Sequence, residues 1–98
     1  MQLNSKQRKI LRSKAHNLKP SIIIGKSGLD EPVFKSIDEC VDSNELIKIK
    51  FNDYKDDKST FLCRINDRLK THTVGVVGNI AILYRQNPDL DKRIYKIE

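Results

Sequence analysis

Three consecutive isoleucines, Ile22 to Ile24, lie between Pro20 and Gly25, and this stretch leaves the chain few ways to fold. A short apolar run bounded by chain breakers predicts a buried strand. Asp30 is placed to cap the helical spacing of Val33, Phe34, Ile37, Cys40 and Val41, which predicts a helix from about Glu31 to Asp42. The unit is thus a strand, a glycine loop and a helix. In the loop, Gly25-Lys26-Ser27-Gly28, the two glycines permit positive φ and let another backbone come close. The loop amides and the start of the helix can face an anion, and Lys26 carries the sign a phosphate requires. A clamp for a nucleic-acid backbone is the leading expectation. Gly-Lys-Ser is also the second half of a Walker A loop, but Pro20 stands where that pattern needs its first glycine, and isoleucines build a strand where it needs a phosphate nest. The nucleotide-hydrolase reading is rejected. A Gly-x-x-Gly that merely turns the chain is the competing reading, so the loop needs support from elsewhere.

Charge supplies it. The net charge is +6, yet residues 1–26 alone carry +7 with no acidic residue, while residues 27–98 hold 12 basic and 13 acidic side chains. The whole excess is segregated in the first quarter of the chain, which ends inside the glycine loop. Such segregation points to an electrostatic footprint for phosphates more than to a solvated face. Asn4 with Gln7 forms a capping-box pattern for a first helix running to about Asn17. Leu3, Ile10, Leu11, Ala15 and Leu18 fall on one stripe, and Lys6, Arg8, Lys9, Arg12 and His16 on the other side, with Lys14 near the border. An acid-free amphipathic N-terminus is also what a transit peptide looks like, but this stripe is placed to dock on the strand that follows.

Leu29 and Phe34 make a hydrophobic staple around Asp30, and Pro32 is tolerated in a first helical turn. Asp30 and Glu31 would repel a phosphate at that terminus, so binding must rest on Lys26 and the first helix. Alternation over Leu46 to Phe51 predicts a strand with Lys48 and Lys50 on the face opposite Ile47 and Ile49. A third helix is expected from about Asp57 to Lys70, then strands at His72–Val77 and Ile80–Tyr84 joined by Gly78-Asn79 as a two-residue hairpin turn. Residues 86–98 read as a polar tail, the least ordered segment, with Ile94, Tyr95 and Ile97 as its only anchors.

With 98 residues, 38% hydrophobic and 33% charged, the chain has room for one domain with a modest core. The order α-β-α-β-α-β-β predicts an α/β (α+β) fold in which the first three strands run parallel and the last antiparallel. The four-stranded mixed sheet is packed by helices, and its strand order stays open. No run reaches membrane-spanning length and no secretory h-region stands at the start, so a cytoplasmic, membrane-free protein with reduced Cys40 and Cys63 is expected.

Several ordered motifs resemble one family. Lys6-Gln7, Ala15-His16-x-Leu18-Lys19-Pro20, Gly25-x-x-Gly28-Leu29, Glu45 to Lys50, and Val77-Gly78 through Leu83-Tyr84-Arg85 are similar to the CRM domain (chloroplast RNA splicing and ribosome maturation), in its single-domain bacterial YhbY form. The likeness spans about Leu3 to Arg85. It implies an RNA-binding domain similar to the C-terminal domain of a bacterial translation initiation factor, associated with ribosomal RNA in large-subunit precursors and assisting ribosome assembly. Carried onto this chain, the RNA-contacting loop is Gly25, Lys26, Ser27 and Gly28, and the basic helix face is Lys6, Arg8, Lys9 and Arg12. His16 and Lys19 extend that surface. Ser27 replaces a common Asn, and Pro32 a common Gly, which removes an N–H from the helix start.

The expected mechanism is recognition of backbone and shape. Tyr84, at the end of an apolar strand, is expected in the core, and Tyr54 is expected exposed and isolated in a polar turn. His16 and His72 have no partner at a nucleophile–base or ligand spacing, so no catalytic residue, metal, cofactor or small-molecule substrate is expected. A monomer is expected. The alternatives are a general RNA binder, or a protein-interaction module meeting an acidic partner outside the ribosome.

Overall fold

A computed structural model describes residues 2–97, so Met1 and Glu98, the ends of the expected 1–98 domain, lie outside the described residues. Three helices, α1 (Ser5–Ala15), α2 (Glu31–Asn44) and α3 (Lys58–Leu69), flank strands β1 (Ile22–Ile24), β2 (Leu46–Phe51), β3 (His72–Val77) and β4 (Ile80–Tyr84). The helix starts follow local chemistry. Asn4 accepts from the Gln7 amide while the Gln7 side chain accepts from the Asn4 amide, and Asp30 accepts from the Val33 amide.

The sheet order is β1-β2-β4-β3. β1 pairs parallel with β2, and β4 pairs antiparallel with both β2 and β3, so β1, β2 and β3 run in one direction and β4 against them, as expected. The hairpin partner β4 is inserted between β2 and β3, and Gly78 turns the hairpin at φ +57°. A register shift between Thr73 and Gly75 marks a bulge in β3.

Alternation along the strands divides the apolar side chains between two faces. Ile24, Ile47, Ile49, Phe51, Ala81 and Leu83 meet Phe34, Ile37 and Val41 of α2 and Phe61, Leu62 and Ile65 of α3. On the other face Leu46, Val74, Ile82 and Tyr84 meet Leu11 and Ala15 of α1, together with Leu3 and Ile97. α1 is therefore the sole helical cover of its face among the described residues, and it leaves part of that face bare.

Two expectations need correction. Lys48 stands on the face opposite Ile47 and Ile49 as expected, but that face is not simply solvated there: its ammonium donates to the carbonyls of Leu18 (2.8 Å) and His16 (3.4 Å), filling acceptors just past the end of α1. The polar tail is anchored more firmly than its composition suggests. Glu45, buried and at φ 61°, accepts from the amides of Asn87 (2.6 Å), Ile94 (2.5 Å) and Tyr95 (3.2 Å), and Ile97 enters the core. A buried carboxyl group needs hydrogen bonds in place of its lost water, and the tail's own amides supply them here.

Candidate nucleic-acid interface

The glycine loop leaves the carboxyl end of β1, where the Ile24 carbonyl accepts from the amides of Asn52 and Asp53. The Gly28 amide closes the turn on the Gly25 carbonyl at 3.0 Å. The two glycines differ in why they are glycine. Gly28 has φ +65°, and a Cβ there would touch the Tyr54 ring at 3.4 Å. Gly25 lies outside the positive-φ region, and a Cβ on it would meet nothing within 4 Å. Of the two glycines expected to permit positive φ and a close approach, only Gly28 adopts positive φ, so the turn requires Gly28 alone. Open space in front of Gly25 is what an approaching ligand backbone needs.

Tyr54 is the residue that sequence reasoning underrated. Expected exposed and isolated, it is 40% exposed, and its hydroxyl donates to the Lys26 carbonyl at 2.7 Å while its ring packs 5.0 Å from Phe61. It props the loop from below. Its φ of 56° in a polar turn carries no local signal in the sequence, since only the fold brings it under Gly28.

The start of α2 is already satisfied and offers an anion little. Asp30 occupies the Val33 amide, and Pro32 has no N–H to give. Glu31 is held by Arg68 (Nη1 to Oε1 2.8 Å), whose hydrogen bonds pull the Glu31 carboxyl below its usual range. Arg68 also lies 4.2 Å over the Phe34 ring. The loop itself, more than the helix terminus, is what stays open to an anion here. A shallow depression of about 400 Å³ beside it is lined by Gly25, Lys26, Ser27 and Gly28 together with Asp30 and Ser36.

The sequence-predicted residues form two groups. Gly25, Lys26, Ser27 and Gly28 stand together at the end of β1, on the chain's turn into α2. Lys6, Arg8, Lys9, Arg12 and His16 are exposed on α1, on the opposite layer, and Lys19 is exposed in the link between α1 and β1. Arg12 lies across β3, its Cδ 3.1 Å from where a Gly75 side chain would begin, so Gly75 makes room for it at the bulge. His72 sits at the start of β3, and burial, with the Arg8 charge adding, holds its imidazole below the ordinary range. Tyr84 is fully buried, as expected. No well-formed hydrogen bond reaches its hydroxyl among the described residues, although Arg93 and Gln86 lie near enough to oppose the shift; burial first, then the Glu45 carboxylate, pushes its pKa up to about 12.

Among the described residues there is no cluster of three His, Cys, Asp or Glu able to hold a metal, and no helix long and apolar enough to cross a membrane. Residues 3–85 match the family model of the CRS1/YhbY (CRM) domain. A probable RNA-binding protein of Pseudomonas aeruginosa is 32% identical over 98 residues, spanning 99% of this chain and 94% of that one. The probable RNA-binding protein YqeI of Bacillus subtilis is 32% identical over 88 residues, covering 89% and 92% of the two chains. A solution structure from Staphylococcus aureus, named as a candidate RNA-binding protein, superposes with a TM-score of 0.79 at 31% identity, covering 97% of this chain and all of that one.

Proposed function

This chain belongs to the CRS1/YhbY (CRM) domain family, and from that footing we propose that it binds RNA by its backbone, with Gly25 to Gly28 as the clamp and the α1 ridge as the electrostatic track. The observation that carries the reading is Gly25, a glycine with empty space before it that neither the turn nor the packing requires. Lys26 supplies charge at the clamp, and Lys6, Arg8, Lys9, Arg12, His16 and Lys19 supply it along the track, in a segment with no acid. The names of the relatives agree with RNA as the partner. The target within this reading is ribosomal RNA in large-subunit precursors, the protein acting as a cytoplasmic monomer that assists assembly without chemistry of its own.

Sedimentation of a cell lysate through a sucrose gradient at low and high salt tests it, using the wild type and Gly25→Asp/Lys26→Glu. The expected result is salt-sensitive and nuclease-sensitive comigration with large-subunit or precursor fractions, lost in the variant. Protein at the top of every gradient would remove the ribosomal target. Comigration that survives nuclease would point to a protein partner instead.

A further inference from the structure

Beyond the clamp and the track lies a part of the sheet that α1 leaves uncovered. Register places Ile23 of β1 beside Lys50 of β2, Lys50 beside Ile80 of β4, and Ile80 beside Val77 of β3. These four side chains form one row across all four strands, on the face opposite the α2 and α3 core. Ile23 is 56% exposed and Val77 70%, and Lys50 between them is exposed as well. Three interstrand steps make the row about 14 Å long. One end lies two residues from Gly25. The other opens into a cleft of about 340 Å³ between α1 and the β3–β4 hairpin, with Ile80, Ile82 and Val77 as its floor and Arg12, His16 and Lys48 at its rim.

We propose that this row is a platform for the bases of a single-stranded RNA segment whose backbone is held at the glycine loop. The proposal rests on the RNA-binding reading above. The row begins two residues from the loop and ends at the cleft beside α1, so a strand laid along it reaches both. An isolated exposed isoleucine needs no explanation, but a registered row of three apolar side chains and a lysine that continues from a backbone clamp does. No carboxylate lines the cleft, and Lys50, Arg12 and Lys48 bring positive charge to the row and its rim. That combination suits a partner that alternates flat apolar rings with phosphates. Aliphatic side chains offer contact without hydrogen-bond readout, so the platform accepts bases with little sequence preference.

The test is fluorescence anisotropy with two oligomers of equal length, one of uridines and one whose central nucleotides carry a base-free spacer, on the wild type, Ile23→Gln, Val77→Gln and the double variant. All three substituted chains are expected to keep the wild-type melting temperature, because both positions are exposed. The wild type should prefer the uridine oligomer by about tenfold. The double variant should lose most of that preference, each single variant part of it, with affinity for the base-free oligomer and its salt dependence unchanged. Equal wild-type affinity for both oligomers, or a preference that survives the double substitution, would overturn the platform and leave the row to a protein partner while the backbone clamp stands. Absence of salt-dependent binding to either oligomer would instead overturn the RNA reading and the platform with it.

Discussion

Alanine at Gly25 and at Gly28 should have opposite consequences. A methyl group on Gly25 meets nothing within 4 Å and the backbone there is outside the left-handed region. The folded state is therefore not strained, and the unfolded chain loses freedom, so Gly25→Ala should be neutral or stabilise by up to about 1 kcal/mol. Gly28 has φ +65°, where an L residue costs about 1–2 kcal/mol. The new Cβ would rest at 3.4 Å from the Tyr54 ring, ordinary contact, so backbone strain accounts for most of the cost. With a shift of about 4–8 °C per kcal/mol for a domain of this size, Gly28→Ala should melt several degrees below wild type and Gly25→Ala at or above it. Binding should follow a different order. The Gly25 methyl group stands where the RNA backbone approaches, and a separation of even a fraction of an ångström there should weaken binding by about tenfold. Thermal melts and anisotropy titrations on the same preparations give both quantities. A Gly25→Ala protein that loses stability, or that keeps full RNA affinity, would refute the claim that this glycine serves the ligand.

Three further outcomes follow from the contacts. Tyr54→Phe removes the hydrogen bond to the Lys26 carbonyl, which should cost about 0.5–1.5 kcal/mol in a urea titration and weaken RNA binding while leaving the wild-type salt slope intact. Glu45→Gln leaves one acceptor oxygen where two now receive three tail amides; it should cost about 1–3 kcal/mol and make residues 86–97 the first site of limited proteolysis. Tyr84 is favoured in its neutral form by the fold, its pKa standing at about 12 against an ordinary value of 10.0. Its contribution is complete below pH 10 and is lost as pH rises toward 12. Tyr84→Phe should flatten that alkaline loss in pH-dependent melts and be neutral or stabilising at pH 7, because it deletes a buried hydroxyl that has no partner.

What could be read along the chain was whatever is decided within a turn or two. The Asn4–Gln7 box, the Asp30 cap and the Gly78 hairpin all depend on neighbours three or four residues away, and they stand where spacing put them. The segregation of charge located the α1 ridge for the same reason. The insertion of β4 between β2 and β3 depends on pairing across the whole sheet, and no local pattern encodes it. Lys48 and Tyr54 were misjudged, and Glu45 was not singled out as a tail anchor, for one cause. Each is a polar residue in a polar or alternating context, where solvation is the ordinary reading, and each acquires its role from a partner 28 to 50 residues distant in sequence. The difference between the two loop glycines was also invisible, because it rests on what surrounds a missing Cβ.

The account turns on phosphates being held by Lys26 and the α1 cations, and the dependence of RNA affinity on salt measures that most directly. Titrating a labelled single-stranded oligomer over a range of salt, the wild type should give a log–log slope of about −3 to −4, as expected for four to six neutralised phosphates. Lys26→Ala should make that slope shallower by about 0.7, and Arg8→Ala/Lys9→Ala by about twice as much. A wild-type slope near zero, or slopes that do not change in these variants, would contradict the backbone-clamp account.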